Sequence, residues 1–212
     1  IMEEALEATT PFYTIDPMVS TRLQAVQDAL LNNQWSTMIS TDDDLRIRLI
    51  TQGVENPESR DSITWDDANL FFLSCIDLTR DGKPNHLEAG ISKARFGRFP
   101  YKDGSPLTYL MEWITIARDD SEQMERLENL LEKLTSGLEG TSIETGTGRI
   151  KMQGWLDATE TTELRKCLTS RCWRASADEP FDGGCTDSAK HLVALLRAAE
   201  KRKTGVVLRV HK

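Results

Sequence analysis

Oxygen-bearing side chains recur at regular intervals between Asp77 and Glu88, in the stretch DLTRDGKPNHLE. A twelve-residue calcium-binding loop takes ligands from its first, third, fifth, seventh, ninth and twelfth positions, with glycine at the sixth for a sharp turn. Gly82 stands at the sixth position of this stretch. The predicted ligands are therefore Asp77, Thr79, Asp81, the backbone carbonyl of Lys83, Asn85 and Glu88.

This stretch resembles the loop of an EF-hand, and the apolar run before it resembles an entering helix that Asp66 can begin. Two residues depart from the pattern, because Thr79 replaces a carboxylate or amide and Pro84 has no N–H for pairing with a second loop. No second loop of this kind occurs in the sequence. The alternative is a turn at Arg80–Lys83 that a buried strand enters and that needs no metal. No cofactor is expected unless this loop binds calcium.

A second candidate for chemistry is Cys185, which follows two glycines at the predicted start of a helix. The helix dipole favours a thiolate there, so this cysteine can be the nucleophile of a hydrolase or transferase. The nucleophile needs a base, and the candidates are His86, His191 and His211. Nearby carboxylates oppose this activation because negative charge raises the pKa of a thiol. These carboxylates belong to Asp178, Asp182 and Asp187.

Basic and aromatic residues are interleaved from Ser92 to Lys102, in the stretch SKARFGRFPYK, which we call the basic-aromatic loop. Its cations can bind anions while its rings stack or pack, so it is the predicted recognition surface. The predicted contact residues are Lys93, Arg95, Phe96, Arg98, Phe99 and Lys102. The same pattern also suits a loop that its phenylalanines pin to the core while its charges face solvent.

Composition and charge limit the class of protein. The chain has 212 residues, 39% hydrophobic and 28% charged, which is typical of a soluble globular protein with a sizeable core. No apolar run approaches the roughly 18 residues that cross a bilayer, so no membrane partner is expected. The net charge of −8 disfavours nucleic acid as a partner. Four cysteines are too few for a disulfide framework, which favours a cytoplasmic location.

Apolar spacing, capping residues and turn residues predict the secondary structure. The first predicted helix begins at Asp16, with Pro17 in its first turn. Three further predicted helices cover 119–137, 157–168 and 186–205. The predicted strands are 45–50, 109–117 and 205–210, and 142–152 is a predicted hairpin. Helices and strands do not alternate regularly in this order. We therefore expect an α+β fold with a small, largely antiparallel sheet and a single core.

The predicted organisation is an N-terminal helical segment, 1–60, packed on a main α+β domain, 61–212. Residues 1–60 are mainly acidic and residues 190–212 mainly basic, so either the two ends compensate each other or the basic end contacts an acidic partner. The leading hypothesis is a non-enzymatic binding or regulatory protein. Its basic-aromatic loop would contact a protein partner or a small acidic ligand. The alternatives are a hydrolase or transferase centred on Cys185 and a calcium-binding module.

Overall fold

The computed structural model describes residues 11–87, 99–117, 120–170 and 172–211. Within these ranges the chain forms eight α-helices and five β-strands, which confirms the predicted α+β class. The helices are α1 Leu23–Leu31, α2 Trp35–Thr41, α3 Asp43–Thr51, α4 Asp67–Cys75, α5 Pro106–Trp113, α6 Ser121–Ser136, α7 Ala158–Thr169 and α8 Gly184–Arg202. The strands are β1 Phe12–Met18, β2 Ile114–Ile116, β3 Lys151–Leu156, β4 Trp173–Ala175 and β5 Gly205–His211. None of the helices described is both long and apolar enough to cross a bilayer.

Three strands form the central antiparallel sheet in the order β1–β5–β3, and β2 pairs with β4 in a second, small sheet. Phe12 of β1 lies opposite His211 of β5, so the start of the first strand lies beside the end of the last strand. The register of β3 against β5 shifts between Met152 and Gly154. Gly154 lets α6 approach the sheet closely, because a Cβ atom there would lie 2.0 Å from the carbonyl oxygen of Lys133.

The central sheet lies between two layers of buried apolar residues. Val206, Leu208 and Val210 pack with buried residues of α5, α6, α7 and α8. Val207 packs on the opposite face with buried residues of α1, α2, α3 and α4. This alternation follows from the two-residue period of a strand. It leaves β5 buried on both faces, as the run of valine and leucine in this strand indicates.

The prediction of a helix at Asp16 and Pro17 is wrong, because these residues belong to β1 and the first helix begins at Leu23. Proline fits the first turn of a helix, but it also fits an edge strand, where its missing N–H breaks no ladder bond. Here the carbonyl of Pro17 accepts a hydrogen bond from the N–H of Asp77 at 2.8 Å. Because β1 pairs with β5, part of the segment 1–60 lies in the same sheet as the C-terminal strand.

The predicted strand at 45–50 is also wrong, because these residues lie in α3. The side chain of Asp42 caps this helix by accepting the N–H of Leu45 at 2.9 Å. Leu45 and Leu49 are both buried, and their four-residue spacing is that of a helix face. The predicted strand at 109–117 is correct only in its last part, since α5 continues to Trp113 before β2 begins.

The hairpin at 142–152, the last strand and the later helices agree with the prediction. Helix α7 begins with a full capping box, in which Asp157 accepts the N–H of Glu160 and Glu160 accepts the N–H of Asp157. The hairpin closes through an antiparallel bridge between Thr145 and Lys151. It leads directly into β3, next to the end of β5.

Candidate functional site

A cavity of about 530 Å³ lies at the end of the central sheet, where β3 begins and β5 ends. We call it the sheet-end pocket. Its lining residues are Thr145, Gly148, Arg149, Ile150, Lys151, Arg209, Val210 and His211. Three cations and an imidazole thus line one cavity in a chain whose net charge is −8.

The hairpin forms one wall of this pocket. The N–H of Gly146 donates to the carbonyl of Ile150 at 2.8 Å, and the N–H of Met152 donates to the carbonyl of Glu144 at 2.8 Å. Between these bonds Arg149 has φ +60°, a left-handed conformation that side chains other than glycine adopt rarely. The hairpin therefore places an arginine at a position where a glycine or asparagine would be less strained.

Asp66 holds the hairpin against α4. Its carboxylate caps α4 by accepting the N–H of Asn69 at 2.9 Å, and it also accepts the N–H of Thr147 in the hairpin. Burial raises the pKa of Asp66, but these hydrogen bonds outweigh burial and lower the pKa below its ordinary value. Gly146 allows this close contact, since a Cβ atom there would lie 3.0 Å from Oδ1 of Asp66 and would make its neighbours shift by a few tenths of an ångström.

The opposite wall of the pocket contains Arg209 of β5. Its guanidinium donates to the carboxylate of Asp16 through Nε at 2.6 Å and through Nη2 at 3.2 Å. The guanidinium carbon also lies 4.8 Å from the centre of the Phe72 ring. Thr14 supports the pair, because its hydroxyl donates to Asp16 at 3.2 Å and lies 3.1 Å from Nε2 of His211. Arg209 is consequently fixed in orientation on the sheet.

The charge balance of the pocket is positive. Asp16 neutralises Arg209, and Glu144 lies 3.6 Å from Nζ of Lys151. Arg149 is exposed and forms no ion pair with any residue that the structure describes. A guanidinium without a carboxylate partner, beside two further cations, can bind the oxygens of an anionic ligand.

The calcium-loop residues form a tight hairpin instead of an open loop around a cavity. Leu78 and Pro84 form an antiparallel bridge, and the carbonyl of Lys83 accepts the N–H of Thr79 at 2.8 Å. The amide of Asn85 donates to the carboxylate of Asp77 at 2.9 Å. The other predicted ligands are Asp81, which lies at the tip of this hairpin, and Glu88, which lies outside the described residues.

Two of the predicted calcium ligands, the carbonyl of Lys83 and the carboxylate of Asp77, therefore already accept hydrogen bonds within the protein. In the ranges that the structure covers, no group of three or more His, Cys, Asp or Glu side chains is arranged to hold a metal ion. The ion site stays a prediction from the sequence.

Cys185 is fully buried at the start of α8. Burial, together with the carboxylate of Glu179, raises the pKa of its thiol to about 12. Glu179 also accepts the backbone N–H of Cys185 at 2.5 Å and the hydroxyl of Tyr109 at 3.0 Å. The Glu179 carboxylate thus accepts the N–H at the helix start that would otherwise be available to stabilise a thiolate. The geometry therefore disfavours catalysis here.

The described part of the basic-aromatic loop packs on the core. The ring of Phe99 lies 4.6 Å from that of Tyr109 and 5.9 Å from that of Phe181. Tyr101 lies 5.0 Å from Tyr109. Nζ of Lys102 forms a salt bridge with Glu112 at 2.5 Å. The remaining predicted contacts, Lys93, Arg95, Phe96 and Arg98, lie outside the described residues.

A hydrogen bond connects Asp103, the residue after this loop, to β1. The hydroxyl of Tyr13 donates to the carbonyl of Asp103 at 3.3 Å. Tyr13 lies opposite Val210 in the β1–β5 pairing, and Val210 lines the sheet-end pocket. The residue that follows the basic-aromatic loop therefore contacts the pocket end of the sheet, on the face opposite Arg209.

The sequence identifies His211 only as a candidate base and does not single out the other pocket residues as site residues. The excess of basic residues in 190–212 was a signal for Arg209 and His211, although it did not indicate which of these residues share a site. For Arg149 the only signal was its place in a predicted hairpin. Comparisons with protein-family models, with curated proteins and with solved structures found no match in any of the three.

Proposed function

We propose that this protein acts by binding an acidic ligand in the sheet-end pocket, and that it is not an enzyme. The observation that carries the proposal is the exposed guanidinium of Arg149, which has no acidic partner among the described residues and lines a cavity with Lys151 and Arg209. The cavity volume of about 530 Å³ falls within the range of small-molecule sites, roughly 300 to 1,000 Å³.

The ion pair between Arg209 and Asp16 supports binding because it fixes one wall of the site before a ligand arrives. A preorganised guanidinium loses little conformational entropy when a ligand binds, so more of the interaction energy appears as affinity. The carboxylate of Asp16 also reduces the net charge, which leaves Arg149 and Lys151 to provide most of the attraction.

The surrounding charge supports selectivity for acidic ligands that fit the pocket. The chain as a whole has a net charge of −8, so an anion is repelled from most of the surface and attracted locally. Binding to such a site weakens as salt concentration rises, because ions screen exposed charges.

The basic-aromatic loop provides a second contact surface in this proposal. Its last residues, Phe99 and Tyr101, are anchored on Tyr109, and Asp103 contacts Tyr13 at the pocket end of the sheet. Bases precede this anchor in the sequence, at Lys93, Arg95 and Arg98. An acidic protein segment that reaches beyond the pocket would gain affinity from these charges.

Isothermal titration calorimetry tests the proposal with three probes, namely inorganic phosphate, citrate and a hexaglutamate peptide. The test variant is Arg149→Gln with Lys151→Gln. The matched control is Lys201→Gln with Arg202→Gln, which removes the same charge in the last turn of α8, before β5 begins. We expect at least one probe to bind the native protein, and to bind the test variant about tenfold or more weakly.

The control variant should bind that probe like the native protein. The proposal is contradicted if no probe binds the native protein, or if the control loses as much affinity as the test variant. A third variant, Arg95→Gln with Arg98→Gln, examines the basic-aromatic loop. It should weaken hexaglutamate binding and leave phosphate binding unchanged, whereas unchanged binding of both probes removes the loop from the proposal.

A further inference from the structure

We infer that the ligand of the sheet-end pocket is a small molecule with a phosphate group, and that Arg149 and the backbone of the hairpin hold this group. The inference rests on the proposed function and specifies its ligand. It depends on backbone N–H donors of the hairpin in addition to the charged side chains of the pocket.

The hairpin has two backbone N–H groups without an acceptor among the described residues. The N–H groups of Gly148 and Arg149 donate no hydrogen bond to any residue that the structure describes. They are consecutive, and the left-handed conformation of Arg149 is of the kind that turns successive N–H groups toward one concave side. Such a concavity binds the oxygens of a phosphate, which accepts several hydrogen bonds at once.

Gly148 matters for access to these donors. It lines the pocket and carries no Cβ atom, so a ligand oxygen can approach the backbone there. The hydroxyl of Thr145, also in the lining, forms no hydrogen bond within the described ranges. A backbone pair and a hydroxyl together offer the neutral donors that a tetrahedral anion needs in addition to cations.

Arg149 then supplies the charge. Its planar guanidinium can donate two parallel hydrogen bonds to two oxygens of one phosphate, which a lysine at the same position cannot do. Nearby Lys151 adds a point charge, already partly offset by Glu144 at 3.6 Å. The site therefore distinguishes a phosphate from a carboxylate by the number and arrangement of its donors.

The shape of the site favours a small molecule over a phosphorylated protein side chain. Two walls enclose the cavity, the hairpin on one side and the end of β5 on the other. A volume of about 530 Å³ exceeds that of a phosphate and leaves room for a small organic group beside it. We therefore expect a phosphate monoester to bind more tightly than inorganic phosphate.

The test compares two matched pairs of probes by isothermal titration calorimetry. Glycerol 3-phosphate is compared with glycerate, and a phosphoserine hexapeptide with the same peptide containing glutamate. The variants are Arg149→Gln and Arg149→Lys, and the control is Arg80→Gln at an exposed site on a different hairpin. Unchanged unfolding midpoints without ligand show that each variant is folded.

We expect glycerol 3-phosphate to bind the native protein and Arg80→Gln alike, and to bind Arg149→Gln about tenfold or more weakly. Arg149→Lys should recover only part of this loss, and glycerate should bind much more weakly. Equal binding of glycerate and glycerol 3-phosphate overturns the inference, as does full affinity in Arg149→Gln. Binding of the phosphopeptide without glycerol 3-phosphate overturns the assignment to a small molecule.

The failures of the two proposals are distinguishable. Binding of citrate or hexaglutamate alone, abolished by Arg149→Gln with Lys151→Gln, overturns the phosphate inference and leaves the proposed function standing. Absence of binding by every anionic probe overturns both.

Discussion

Arg209 and Asp16 join the two neighbouring strands β5 and β1 through two hydrogen bonds, Nε to Oδ2 at 2.6 Å and Nη2 to Oδ1 at 3.2 Å. Asp16 is buried, and Arg209 reaches from it to the lining of the sheet-end pocket. The pair thus links the stability of the sheet to the shape of the proposed binding site. It also explains why a carboxylate occupies a strand position where the sequence predicts a helix cap.

Replacement of Arg209 by methionine should destabilise the protein by about 3 kcal/mol, because it leaves the carboxylate of Asp16 buried without its partner. The double variant Asp16→Asn with Arg209→Met should recover much of this loss, since no buried charge remains. Urea unfolding of the two single variants and the double variant measures both quantities. Strictly additive losses would show that the two residues act independently and would contradict this account.

Replacement of Asp66 by alanine should cost roughly 1 to 2 kcal/mol, because α4 loses its cap and the hairpin loses the acceptor for Thr147. Asp61→Ala is the matched control on an exposed carboxylate and should change stability by less than about 0.5 kcal/mol. Chemical denaturation measures both effects. Equal stability of the two variants would mean that Asp66 does not hold the hairpin.

The effect of Asp66 should depend on pH in a defined direction. Its folded-state pKa is lowered, so its contribution is fully present above the unfolded pKa of about 3.9 and is lost as pH falls through the folded pKa. The stability difference between the native protein and Asp66→Ala should therefore shrink below about pH 4. A difference that grows on acidification has the wrong sign for this account.

Cys185 should react slowly with iodoacetamide in the folded protein at neutral pH, because burial and Glu179 raise its thiol pKa to about 12. The measurement is mass spectrometry of the labelled peptides, with the urea-unfolded protein as reference. All four cysteines are buried, so peptide mapping is needed to assign the label. Labelling of folded Cys185 as fast as in the unfolded chain would restore the nucleophile hypothesis.

Calcium should leave the thermal unfolding midpoint unchanged relative to EDTA. The carbonyl of Lys83 and the carboxylate of Asp77 already accept hydrogen bonds from Thr79 and Asn85, which a bound ion would have to displace. Glu88→Gln provides the control. A calcium-dependent rise in the native protein that disappears in Glu88→Gln would establish the ion site and contradict this prediction.

The elements that the sequence predicts well are those with a long, unambiguous pattern. Helices α6, α7 and α8 each combine an apolar stripe with a polar face, and β5 is a continuous run of strand-forming residues. Short elements were ambiguous. In 45–50, Leu45 and Leu49 follow the helix period, while intervening Arg46 and Arg48 imitate the alternation of a strand.

The pocket could not be predicted from the sequence, because its two walls are distant along the chain. Arg149 and Arg209 approach only through the pairing of β3 with β5, which no local pattern specifies. The tertiary fold likewise gathers Phe99, Tyr109 and Phe181 into one aromatic cluster. The sequence predicts the hairpin 142–152 and the strand 205–210, which form the two walls of the pocket, but it does not indicate that they lie in contact.

The most direct measurement is a ¹H–¹⁵N NMR titration of the native protein with inorganic phosphate and, separately, with citrate. We expect the largest amide shifts for at least one of these anions at Thr145–Lys151 and Arg209–His211, with smaller shifts elsewhere. Shifts concentrated at Lys201–Lys203, or no shifts with either anion, would contradict the assignment of the sheet-end pocket as the binding site.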